Sequence, residues 1–130
     1  MRILVPVDGS EVSVRALRFA ADLAREFEGT VHVVHITDVE NDATARILDR
    51  ARTVLEEEGI DDVPEVTTDV ELDLRPATRV GEDILELVRE RNYDHVVMGH
   101  HGVGHVDRFI LGSAAETVLR SCETPVTVIP

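Results

Sequence analysis

Apolar positions along the chain switch between two periods. Residues 2–7 form a short β-rich apolar run that stops at Asp8-Gly9-Ser10, a turn and candidate helix cap. From Val14, the residues Leu17, Ala21, Ala24 and Phe27 recur at helical spacing, and Gly29 follows as a stop. Residues 31–36 read as a second strand. Residues 41–58 read as a second helix, with Ala45, Leu48, Ala51 and Leu55 on one face and Gly59 after it.

The stretch 65–80 has the weakest pattern. Val66, Val70, Leu72 and Leu74 suggest a third strand, which Pro76 ends or places at a sheet edge. Gly81 then reads as the turn into a helix, with Glu82 and Asp83 in its first turn and Ile84, Leu87 and Val88 facing inward. Residues 95–98 are a short buried strand, 99–111 a glycine-bearing loop, and Gly112-Ser113 the opening of a last helix. Val126–Ile129 closes the chain as a fifth strand.

Strands alternating with helices predict an α/β fold with a largely parallel sheet, helices on both faces and right-handed crossovers. In such sheets ligands sit beyond the carboxyl ends of the strands, near the switch in strand order. Attention therefore falls on Asp8-Gly9-Ser10, Thr37-Asp38 and the segment 99–112.

The 130 residues are the length of one domain, 1–130, and 43% of them are hydrophobic, enough for an ordinary core. No stretch approaches the ~18 apolar residues of a membrane span, and the start of the chain lacks a signal-peptide cleavage site. We expect a cytoplasmic protein with no membrane partner. The lone Cys122 excludes an internal disulfide and a cysteine-based zinc cluster, and reads as packing.

There are 26 acidic and 13 basic residues, a net charge of -13, and every basic residue is Arg. Without lysine the chain has no Walker-type phosphate loop and no Schiff-base chemistry. The acidity argues against nucleic acid as a partner, and reads as a surface adapted to a salty, halophilic cytoplasm.

The chemistry concentrates in Met98-Gly99-His100-His101-Gly102-Val103-Gly104 and Gly112-Ser113-Ala114-Ala115-Glu116. Glycines leaving a strand permit close approach of a ligand, and the N–H groups of a helix start attract an anion. Together they would make a phosphate cradle of main chain. The plain alternative is that Ser113 and Glu116 form a capping box and the glycines only turn the chain.

The spacing Gly99-x2-Gly102-x9-Gly112-Ser113 resembles the glycine signature of the nucleotide-binding branch of the universal stress protein family. Val5-Pro6-Val7-Asp8-Gly9-Ser10, Val33-Val34-His35-Ile36-Thr37-Asp38 and Thr124-Pro125-Val126-Thr127-Val128-Ile129 resemble its first, second and closing strands. The resemblance implies a Rossmann-like domain of the adenine-nucleotide alpha hydrolase type, with a five-stranded parallel sheet. It implies ATP or another adenine nucleotide, with Mg²⁺, as ligand. Adenine would lie near Ile36, with Pro6 and Asp8 bordering the adenosine. Met98, Gly99, His100, His101, Gly102, Val103 and Gly104 would wrap ribose and phosphates, and Gly112, Ser113 and Ala114 would meet the outer phosphates. It also implies a homodimer through Val126–Ile129, an edge strand open to pairing.

Two positions depart from the family pattern. His100 stands where Ser is common, and Val103 where a basic or polar residue is common. His100, His101, His105 and Arg108 are candidates to compensate. The histidines carry no dedicated metal site: His100, His101 and His105 lack a carboxylate at ligand spacing, and His32 and His35 point to opposite faces of a strand. His95 reads as structural. A nucleotidyltransferase His-x-Gly-His motif fails because Gly102 stands where its first His belongs. No catalytic set stands out. The leading expectation is a stress-response module that binds ATP. A slow Mg²⁺-dependent ATPase or phosphotransferase using Arg108 is one alternative, and a nucleotide-free dimerisation module another.

Overall fold

The computed structural model describes residues 1–68, 76–102 and 111–130, the side chains of 76–78 excepted. Strands β1 (Arg2–Pro6), β2 (Thr30–Thr37), β3 (Glu65–Thr68), β4 (His95–Gly99) and β5 (Val126–Ile129) alternate with helices α1 (Glu11–Phe27), α2 (Asp42–Glu58), α3 (Pro76–Arg91) and α4 (Ser113–Ser121). All strand pairs are parallel, in the order β3-β2-β1-β4-β5. The α/β reading therefore holds.

The strands are apolar on both sides because both sides are covered. Ile3, Val5, Val31, Val33 and Val97 pack against Leu17, Ala20, Val54 and Leu55 of α1 and α2. On the opposite face Leu4, Val34, Ile36, Val96 and Met98 meet Ile84, Leu87 and Val118 of α3 and α4. Each such fully buried side chain contributes roughly 1.5–3 kcal/mol.

Local chemistry sets the helix ends. Ser10 Oγ accepts the Ser13 amide at the start of α1. Asn41 and Thr44 form a capping box for α2, and Gly59, at φ 69°, ends it. The stop of α1 is Glu28, which adopts the left-handed conformation itself, one residue before the predicted Gly29.

β3 is an edge strand over Glu65–Thr68, and Val70, Leu72 and Leu74 of the expected strand lie outside the described residues. The expectations for Pro76 and Gly81 need correction. Pro76 opens α3, where a first-turn residue needs no N–H donor. Gly81 is accordingly inside the helix. A Cβ there would stand 2.6 Å from Thr117 Cβ and 3.1 Å from the Ala114 carbonyl oxygen, so glycine lets α3 approach α4 closely.

Candidate functional site

The sheet order reverses between β1 and β4, whose neighbours in the chain lie on opposite sides. Their ladder pairs Ile3 with His95 and Leu4 with Val96, whereas β1 stays paired with β2 as far as Pro6 and Val34. Pro6 has no N–H with which to extend a ladder. Beyond it, the loops that follow β1 and β4 border a cavity of about 330 Å³.

One wall comes from Pro6, Val7, Asp8 and Ser13. The turn that holds Asp8 is tied at several points. Asp8 Oδ1 accepts from the Ser10 amide at 3.0 Å and from Ser10 Oγ at 2.5 Å, and Ser13 Oγ donates to the Ser10 carbonyl at 2.8 Å. The buried His35 donates through Nδ1 to the Val7 carbonyl at 2.8 Å and fixes the end of β1.

Ile36, Val80, Ile84 and Met98 supply an apolar floor. Gly99, His101 and Gly102 follow from β4, and Gly112, Ser113, Ala114 and Ala115 from the start of α4. A Cβ on Gly102 would stand 2.9 Å from Asp8 Oδ2, and one on Gly112 2.9 Å from His101 Cα. Only glycine allows these approaches without a shift. The Gly112 amide donates to the His100 carbonyl at 2.6 Å, which seats the first turn of α4 against the loop.

The capping-box explanation of Ser113 does not hold. The N-cap of α4 is Gly112, with no side-chain cap hydrogen bond, and Ser113 is an exposed first residue of the helix. The start of α4 therefore borders the cavity with the positive end of its helix dipole.

Of the residues singled out from sequence, Pro6, Asp8, Ile36, Met98, Gly99, His101, Gly102, Gly112, Ser113 and Ala114 meet around this one cavity. His100 is not among the described lining residues. It is 7% exposed, and its main-chain N–H and its Nδ1 reach the Ile129 carbonyl oxygen at 2.8 and 3.2 Å. Its ring meets that of His101 edge-on, 4.2 Å between centroids. Val103 and Gly104 lie outside the described residues, as do His105 and Arg108.

Sequence reasoning missed Val7, Ser13, Val80 and Ala115 as lining residues and did not assign Ile84 to the site. The available signal for α3 was the i, i+4 pair Val80 and Ile84, legible once the helix is extended back across Gly81. His95 is structural: its Nε2 lies 2.7 Å from Thr127 Oγ1 on β5, and burial pushes its pKa below 6.5. Cys122 packs against the core beneath α3 and α4.

A doubly wound sheet with a glycine-lined cleft at its switch point defines a class of α/β ligand-binding folds. The sequence model of the universal stress protein family matches residues 1–130, and the chain belongs to that family. A universal stress protein of Methanocaldococcus jannaschii is 27% identical over 146 residues, spanning 98% of this chain and 81% of its own. Among solved structures, the universal stress protein of Archaeoglobus fulgidus in complex with dAMP superposes with a TM-score of 0.76 at 27% identity, covering 100% of this chain and 98% of its own. A universal stress protein in complex with cAMP superposes at 0.78 with 22% identity, covering 99% and 95% of the two chains, and shares the fold.

Proposed function

We propose that this protein is a stress-response module that binds an adenine nucleotide in the cleft between β1 and β4, ATP with Mg²⁺ among its ligands. The observation that carries this reading is the pair of close approaches at Gly102 and Gly112, which bring the loop after β4 against Asp8 and against the start of α4 around one cavity. Ile36, Val80, Ile84 and Met98 offer a base an apolar surface, and the start of α4 offers a phosphate its amides. The dAMP bound by the Archaeoglobus fulgidus relative supports an adenine nucleotide as the ligand class.

The reading extends to a homodimer. β5 is an edge of the sheet, and its four residues are all half-buried, leaving a strand edge for a second copy.

Native purification in high salt with Mg²⁺, followed by denaturation and mass spectrometry of the released small molecules, tests the reading. Stoichiometric adenine nucleotide from the wild type and none from Gly112→Val is the expected result. A protein that releases none and binds no added nucleotide refutes it.

A further inference from the structure

On the basis of that nucleotide reading, we propose that Gly81 is a positioning residue for the phosphate end of the site. Its contact with α4 sets where that helix start stands relative to the wall that receives the base. Val80 and Ile84, one turn apart on α3, line the cavity, and so do Ser113, Ala114 and Ala115 of α4. Gly81, next to Val80, is a point where the two helices meet. A Cβ there would stand 2.6 Å from Thr117 Cβ, 2.8 Å from Thr117 Cγ2 and 3.1 Å from the Ala114 carbonyl oxygen. Ala114 therefore serves both sides, lining the cavity and meeting α3 through its main chain.

The contact has no slack. Thr117 Cβ and the Ala114 oxygen are fixed to the α4 backbone and cannot rotate aside. Carbon atoms rest about 3.5–4.0 Å apart, so a methyl group at position 81 separates the helices by about 1 Å. α4 is the helix that yields. α3 has 16 residues and buries Ile84, Leu87 and Val88, whereas α4 has 9 and buries Ala115 and Val118. A hydrogen bond of about 2.9 Å that lengthens by about 1 Å is lost. The phosphate would lose donors of α4, while the base kept Ile36, Val80, Ile84 and Met98.

Calorimetric titration with adenosine and with AMP tests the proposal, using the full chain as wild type, as Gly81→Ala, and as Gly81→Ala combined with Thr117→Gly. The readout is the ratio of AMP to adenosine affinity. We expect Gly81→Ala to lower that ratio about tenfold, the loss of one hydrogen bond to a charged group, and to leave adenosine affinity unchanged. Thr117→Gly removes both Thr117 contacts and leaves the 3.1 Å approach to Ala114, which a shift of a few tenths of an ångström relieves. The double variant should therefore recover the ratio. Glycine inside α4 costs helix stability, so that recovery reports position and not stability. A ratio unchanged in Gly81→Ala, or still lowered in the double variant, overturns the proposal while leaving nucleotide binding intact. Equal losses for adenosine and AMP overturn it too, because they mark a general weakening of the fold. Failure of the wild type to bind either ligand overturns the nucleotide reading itself and this inference with it.

Discussion

Gly112→Ala adds one methyl group at the point where the loop after β4 meets α4. The backbone there has φ -65° and ψ 153°, which an alanine adopts freely, so any penalty comes from contact rather than dihedral strain. The new Cβ would lie 2.9 Å from His101 Cα and 3.1 Å from the His100 carbonyl oxygen. Both are main-chain atoms and cannot rotate aside. Either the loop or the helix start must move, and the 2.6 Å bond from the Gly112 amide to His100 must lengthen. Overpacking of this kind costs about 1–3 kcal/mol, and replacing glycine by alanine at an N-cap adds a few tenths. Each kcal/mol lost should lower Tm by about 4 °C in a protein of this size. Urea denaturation of apo protein would give the stability change, and calorimetric titration with AMP the change in affinity. We expect both to fall. A variant within about 0.5 kcal/mol of wild type, the ordinary scatter of a surface substitution, and with unchanged AMP affinity would refute the close-packed cradle.

Gly81→Ala gains about 1 kcal/mol of helix propensity, but its Cβ would stand 2.6 Å from Thr117 Cβ, a backbone-rooted atom on α4. A net loss of about 1–2 kcal/mol by urea denaturation is expected; a stabilised variant would contradict the tight α3–α4 contact. Because burial lowers the pKa of His95, the unfolded chain holds its proton more tightly. Its contribution is complete above pH 6.5 and is lost as pH falls through 6.5 to the lower folded value. The stability of His95→Gln, followed by denaturation across that window, should fall less steeply than that of the wild type. Arg91 bonds both oxygens of Glu65, at 2.7 and 2.8 Å, and holds its carboxyl below the usual 4.5. Both side chains are exposed, so Arg91→Gln should cost at most about 1 kcal/mol above pH 4.5, and the difference should vanish at lower pH.

The sequence was most legible where one period ran unbroken. β1, β2 and β4 are rich in buried apolar residues because helices cover both faces of the sheet, and α1 turns Val14, Leu17, Ala21 and Ala24 inward. Phe27 is exposed, however, and in α2 the buried residues are Thr44, Ala51, Val54 and Leu55, with Ala45 exposed. The glycine spacing located the cavity because Gly102 and Gly112 answer to contacts that admit no side chain. Legibility failed where one residue type serves two purposes. Gly81 looks like a turn, yet it narrows the gap between two helices, and Pro76 looks like a strand terminator, yet it begins a helix. Ser113 and Glu116 have the spacing of a capping box, but that pattern presumes the serine precedes the helix; here Gly112 takes the cap. Only the direction of the chain at Gly112 decides between the two, and the local sequence does not encode it.

His100 shows how a position adjoining the cavity can act without lining it. Its carbonyl receives the amide that starts α4, while its own amide and ring nitrogen both reach Ile129 at the end of β5. The residue therefore joins three elements: the end of β4, the edge strand and the start of α4. Its neighbour His101 lines the cavity and bonds the Gly102 carbonyl through Nδ1 at 2.8 Å. A small hydroxyl-bearing side chain at position 100 would leave the main-chain links and remove the ring that rests on His101. Nδ1 of the imidazole is satisfied at Ile129, but Nε2 is buried with no hydrogen-bond partner among the described residues, so burying this ring carries a cost. The seat of the loop thus depends on the closing strand as well as on the glycines. It follows that the Val126–Ile129 edge and the start of α4 at Gly112 belong to one hydrogen-bonded framework, not to separate ends of the molecule.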